Sequence, residues 1–153
     1  MKGAPYPYIV CCVDRSEPSR VVEARAVALA RGLGAQLRML HVMRPARSFA
    51  GGVTARSKPT ATLEGELRGE AAAWLLKHAG VEDGAELTLL EAALPGEAIC
   101  EWAERHPVSV LVAGQCEKRY PRALGSTATY LSMHAPCDVL LVDASGGDVA
   151  EAV

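Results

Sequence analysis

The chain has no long hydrophobic run. None of its apolar stretches approaches the roughly 18 residues of a membrane-spanning helix, so a membrane-embedded role is not expected. It also has no charge excess of one sign. Sixteen Lys and Arg stand against 18 Asp and Glu, a formal net charge of −2. Phosphate backbones select strongly basic faces, so nucleic acid is not expected as the main partner. No CxxC pair occurs, and the five cysteines (Cys11, Cys12, Cys100, Cys116 and Cys137) are odd in number. That is the usage of reduced, partly buried thiols in a cytoplasmic protein. The opening MKGAPYPYIVCCVD holds one Lys and a short apolar run that passes straight into a strand pattern. It makes a poor signal peptide, which again points to a cytoplasmic location. No internal repeat is visible.

What is present is an ordinary globular balance. The 153 residues are half apolar and about a fifth charged, enough for one domain with a substantial core. Five strand-like runs occur at Tyr8–Val13, Gln36–Val42, Ala85–Glu91, Val108–Ala113 and Cys137–Val142. The first and the last two are nearly continuous apolar runs, as in strands covered on both faces. The second and third alternate more, which places them nearer an edge. Adjacent Cys11 and Cys12 fall on opposite faces of the first strand.

Helical patterns separate the strands. The first follows Ser16, a capping residue type, with Glu17 and Pro18 in its first turn, and runs to about Gly32 before Gly34 turns the chain. The second carries the stripe Leu63, Leu67, Ala71, Trp74, Leu75 and ends near Gly80. The third starts at Pro95, buries Ala98, Ile99, Trp102 and Ala103, and stops before Pro107. The fourth begins near Gly125 or Ser126, with Ala128, Leu131 and Ala135 on one face, and ends at Pro136. Strict β-α alternation predicts an α/β fold, a parallel sheet with right-handed crossovers and helices on both faces. Residues 1–144 form the expected domain and 145–153 a tail. A long connection at about 43–60 holds Arg44, Arg47, Arg56 and Lys58 with no acid, and reads as a solvated loop.

In an open parallel sheet, ligands bind beyond the C-terminal strand ends where strand order reverses. Asp14 ends the first strand and Gly114 the fourth. If those strands are neighbours, the two flank one crevice, and the backbone N–H groups at Ser126 and Thr127 turn a helix N-terminus toward it, which suits an anion. Between them runs GQCEKRYPRALGST, Gly114 to Thr127.

VCCVDRSEPS, LRMLHV, LPGEAICEWAERHPVSVLVAGQ and LGSTATYLSMHAPCDVLLV, in that order and spacing, resemble the universal stress protein family. The resemblance covers nearly the whole chain apart from the long connection and the two ends. It implies a Rossmann-like, single-domain, open parallel five-stranded sheet in the order 3-2-1-4-5, and a homodimer through the fifth strand, whose apolar edge is of the kind that pairs with another chain. It implies a stress-response or regulatory binding module, with ATP as the ligand of many members. By the same resemblance Asp14 meets the adenosine part, Val42 packs on adenine, Gly114 lets the backbone approach phosphates and ribose, and Gly125, Ser126 and Thr127 hold phosphate oxygens. The family's binders carry Gly, two residues, Gly, nine residues, then Gly and Ser or Thr. Here Glu117 replaces the middle glycine, and the spacing to Gly125 is two residues shorter. A carboxylate near phosphates opposes binding by several kcal/mol at an effective dielectric of about 20. Lys118, Arg119 and Arg122 offset it or pair with it. An altered anion site on the remaining helix N-terminus is therefore the alternative to ATP binding of the family type.

Other signals are weaker. SGGD at 145–148 lacks the following helix of a pyrophosphatase loop. Asp14 does not make a receiver domain, which needs an acceptor Asp at the end of the third strand, here LLEAAL, and a Lys at the end of the fifth, here VDAS. His134 and Cys137 straddle a helix end with no further metal ligands, so no metal is expected. Lys118 and Arg119 beside Cys116 would lower its thiol pKa, the one redox candidate. His41, near the end of the second strand, lines the crevice in this reading. No catalytic set is arguable, so no enzyme is expected beyond slow ATP hydrolysis. Two alternatives stay open: a nucleotide-dependent α/β hydrolase or transferase, and a ligand-free dimeric scaffold for a protein partner.

Overall fold

A computed structural model describes residues 5–14, 17–43, 65, 66, 69, 73, 86–115 and 124–144. Five strands are present: β1 (Tyr8–Val13), β2 (Gln36–Met43), β3 (Glu86–Glu91), β4 (Val110–Gly114) and β5 (Asp138–Val142). Three helices are described in full: α1 (Glu17–Leu33), α2 (Pro95–Arg105) and α3 (Ser126–His134). The strands form one sheet in the order β3-β2-β1-β4-β5, with every pairing parallel. This is the α/β architecture expected from strict alternation. Of the second predicted helix, Gly65, Glu66, Gly69 and Ala73 are helical. The rest of it lies outside the described residues, as do Ser16 and most of the 43–60 connection.

Two cores sandwich the sheet. On one face α1 packs Val21, Val22, Ala26, Val27 and Ala30 against Ile9, Cys11, Met39, Val110, Val112 and Val142. On the other, α2 and α3 pack Ile99, Cys100, Trp102, Ala103 and Leu131 against Val10, Leu40, Leu111 and Ala113. The alternation along β1 and β4 follows from the period of two in a strand. It separates Cys11 from Cys12, which packs against the second core.

β2 lies beside the edge strand β3, so both stand near an edge, as expected. The alternation in β2 has a local cause. Arg38 lies in register with Glu86 and forms an ion pair with it, while its guanidinium sits 5.5 Å from the Trp102 ring centroid. A polar residue is thus accommodated on an interior strand by a charge and a ring. β4 starts at Val110 instead of Val108, and Ser109 fastens its entrance to β1. Its N–H donates to the Tyr8 carbonyl at 2.8 Å, and its hydroxyl accepts from the Tyr8 N–H at 3.2 Å. Ala98 and Ala135 are half-buried rather than core residues.

The helix ends show how the chain returns to the sheet. Gly34 has φ +63°. Its N–H donates to the Arg31 carbonyl at 3.3 Å, and the Ala35 N–H donates to the Ala30 carbonyl at 2.9 Å. This double bond pattern is a Schellman cap, which calls for a left-handed residue at that point. Among the described residues no helix is long and apolar enough to cross a membrane.

Candidate functional site

The site is built where two ladders part. β1 stays paired with β2 as far as Val13↔His41, and β4 with β5 as far as Gly114↔Val142. The β1–β4 pairing stops earlier, at Cys11↔Val112. Beyond that pair the chain leaving β1 enters α1 on one face, and the chain leaving β4 reaches α3 on the other. A crevice opens between them at the C-terminal strand ends, as the reversal of strand order requires.

Asp14 sits at the β1 exit and is exposed. Val42 is one register step past the Val13↔His41 pair, which brings it to the level of Asp14, and it packs at the border of the second core. Gly114 ends β4, and a Cβ added there meets Val22 Cγ2 at 3.5 Å, an ordinary contact. Gly125 precedes α3 with φ −60° and ψ 159°, an extended conformation open to any residue. Ser126 and Thr127 open α3, Ser126 exposed and Thr127 half-buried. The helix carries no acid in its first turn and no side-chain cap, so the positive end of its backbone is not neutralised by a side chain of its own.

Two main-chain bonds fasten the ends of the loop. The Gln115 N–H donates to the Val142 carbonyl at 2.8 Å, and the Gly125 N–H donates to the Gln115 carbonyl at 3.1 Å. The end of β4 and the start of α3 are therefore held together. Cys116, Glu117, Lys118, Arg119 and Arg122 lie outside the described residues.

Behind Asp14 is a polar pair that sequence reasoning missed. The Asp14 N–H donates to Ser19 Oγ at 3.3 Å, and the Ser19 hydroxyl donates to Glu23 Oε1 at 3.4 Å. Ser19 and Glu23 are both buried, at 5% and 7% exposure, and Glu23 Oε2 has no hydrogen-bond partner. Burial pushes the Glu23 carboxyl up to about 7, against the Ser19 bond and Arg20, which favour its charged form. The signal was present in the sequence: Glu23 falls on the stripe Ser19, Val22, Ala26, Ala30, the face α1 turns to the sheet.

The His41 Nδ1–H donates to the Val13 carbonyl at 2.7 Å, since a carbonyl oxygen can only accept. The ring is thereby tied to the β1 end. His134 is exposed in the last turn of α3, with its ring 4.3 Å from that of Tyr130. No group of three metal-ligating side chains occurs among the described residues. Burial raises the thiols of Cys11, Cys12, Cys100 and Cys137, Cys12 to about 12, so these four are protonated at neutral pH.

A sequence model described as the Universal stress protein family matches residues 5–143. The chain belongs to the universal stress protein family. Solved structures of universal stress proteins share the fold over nearly their full length. One is UspA from Lactobacillus plantarum, 23% identical, with a TM-score of 0.66 over 90% of this chain and 97% of that one. A second is a universal stress protein in complex with cAMP, 23% identical, with a TM-score of 0.67 over 92% and 99% of the two chains. A third, from Archaeoglobus fulgidus in complex with dAMP, is 25% identical with a TM-score of 0.60 over 90% and 98%. No curated protein sequence matches the chain.

Proposed function

We propose that this universal stress protein is a stress-response binding module that takes an adenine nucleotide in the β1–β4 crevice and does not turn it over. The observation that carries the reading is the early end of the β1–β4 ladder, with Asp14 on one lip and Gly114, Gly125 and Ser126 on the other. Asp14 is assigned to the ribose, Val42 to the adenine face, and the N–H groups of Ser126 and Thr127 to a phosphate. A short ligand fits this chain better than ATP. The loop is two residues shorter than in ATP-binding relatives and brings Glu117 where they have glycine, so it offers less wrap and an opposing charge for a triphosphate. Two relatives are known as complexes with cAMP and dAMP, each with a single phosphate.

The test is direct. The purified protein is denatured and released nucleotide identified by mass spectrometry. Calorimetric titration with AMP, cAMP and Mg-ATP then ranks the ligands. The monophosphates are expected to bind more tightly than Mg-ATP, and Asp14→Ala to weaken AMP by roughly tenfold or more, the value of a lost charge-assisted hydrogen bond. No heat with any of the three at millimolar ligand overturns the reading. Sustained ATP turnover abolished by Asp14→Ala would instead favour the hydrolase or transferase alternative.

The same reading includes a cytoplasmic homodimer through β5. In its support, Leu140 is 40% exposed on this edge strand, an apolar residue on an edge open to pairing.

A further inference from the structure

Glu23 is a carboxyl placed where a helix normally puts an apolar residue, and no catalytic or ligand-binding role above uses it. Its neighbours lead to the crevice. Glu23 Oε1 accepts from Ser19, and Ser19 Oγ accepts from the main-chain N–H of Asp14. One hydroxyl thus joins a buried acid to the lip residue assigned to the ribose. The unpartnered Oε2 leaves the acid one bond short in a pocket with almost no access to water.

We propose that Glu23 is a positioning residue for the crevice, setting the place of the Asp14 main chain through Ser19 and doing so in two states, with and without a proton. In the neutral state Oε1 remains an acceptor for Ser19, and the crevice carries one negative charge fewer beside Asp14. In the ionised state a buried carboxylate pulls harder on the Ser19 hydroxyl and repels both Asp14 and an incoming phosphate. Among the described residues the groups that act on Glu23 are few. Ser19 and Arg20 of α1 favour its ionised form, and Asp14 beyond β1 opposes it. Cys11 of β1 is close enough for Glu23 to help raise its thiol. The core residues that β2, β4 and β5 turn to this face, Met39, Val110, Val112 and Val142, are apolar. Burial pushes the acid up to about 7, which brings the change of state into the neutral range.

The nucleotide part of this inference rests on the proposed function, and the experiment separates the two. The Asp14 amide is followed by NMR from about pH 5 to about pH 9 in the full-length protein and in Glu23→Gln, Ser19→Ala and Ser19→Thr. The expected result is a near-neutral midpoint at the Asp14 amide that coincides with titration of the Glu23 carboxyl carbon. Glu23→Gln loses it. Ser19→Ala keeps the carboxyl titration but uncouples the amide, and Ser19→Thr, which retains the hydroxyl, restores the coupling. AMP affinity, measured by calorimetry at the two ends of the range, is expected to fall with rising pH by roughly three- to tenfold more in the parent than in Glu23→Gln; ionisation of AMP itself is common to both. A Glu23 carboxyl that titrates in the ordinary carboxylate range, or Asp14 amide profiles that superimpose in parent and Glu23→Gln, overturns the proposal. Absence of AMP binding throughout overturns the nucleotide reading instead, and the amide titration still decides the role of Glu23.

Discussion

Glu23 also makes the stability of the fold depend on pH. Its carboxyl has an ordinary value of 4.5 and is raised to about 7 in the folded protein. Between those values the folded state holds a proton that the unfolded state has released, so stability falls as pH rises across that window and levels off above it. Urea unfolding at a series of pH values is expected to show this slope in the parent and its loss in Glu23→Gln. A second residue-scale test concerns Gly114. A Cβ there makes only an ordinary contact with Val22, so Gly114→Ala should leave the melting temperature nearly unchanged. If AMP affinity drops nonetheless, the backbone of Gly114 approaches the ligand closely; equal affinity would remove that role.

At the scale of elements, α2 and α3 are joined by a contact with no slack. A Cβ on Gly96 would lie 2.8 Å from Tyr130 Cβ, and that atom cannot swing away as a side-chain tip would. Gly96→Ala is therefore expected to destabilise by about 1–3 kcal/mol, the usual cost of overpacking, read as a lower urea midpoint. Leu131, fully buried between α3 and the sheet, should cost about 2–5 kcal/mol as Leu131→Ala. The elements were largely legible in the sequence. Pro95, Pro107 and Gly34 mark helix limits because each has a backbone property that local structure must respect. The cause of the alternation in β2 was not legible, since it lies in Arg38 meeting Glu86 and Trp102, partners distant in sequence. Periodicity reports how often a side chain is polar, and not whether a tertiary partner accommodates it.

At the scale of the whole molecule, the strand order followed from family resemblance and not from periodicity, because many orders share one β-α alternation. The structure brings Asp14, Val42, Gly114, Gly125, Ser126 and Thr127 to one end of the sheet. Ser19 and Glu23 went unread because a polar residue on a helix stripe looks like noise until its neighbour across the interface is known. The β5 edge carries the assembly prediction. A dimeric mass by light scattering at micromolar concentration is expected, with Leu140→Lys shifting it to the monomer, since a charge on an edge strand opposes pairing. A monomeric parent would count against the dimer.

Gln115 stands at the crossing of the sheet and the loop. Its N–H is taken by β5 and its carbonyl by Gly125, so the segment 116–124 begins and ends at a closed clasp. A longer connection between these two points would cost the fold little, since each doubling of loop length adds only about 0.6 kcal/mol of closure entropy. Glu117→Gly with two residues inserted before Gly125 should accordingly melt where the parent does while moving preference toward Mg-ATP. On the proposed reading, the length of this connection sets the size of the ligand held, and it can change without altering the sheet.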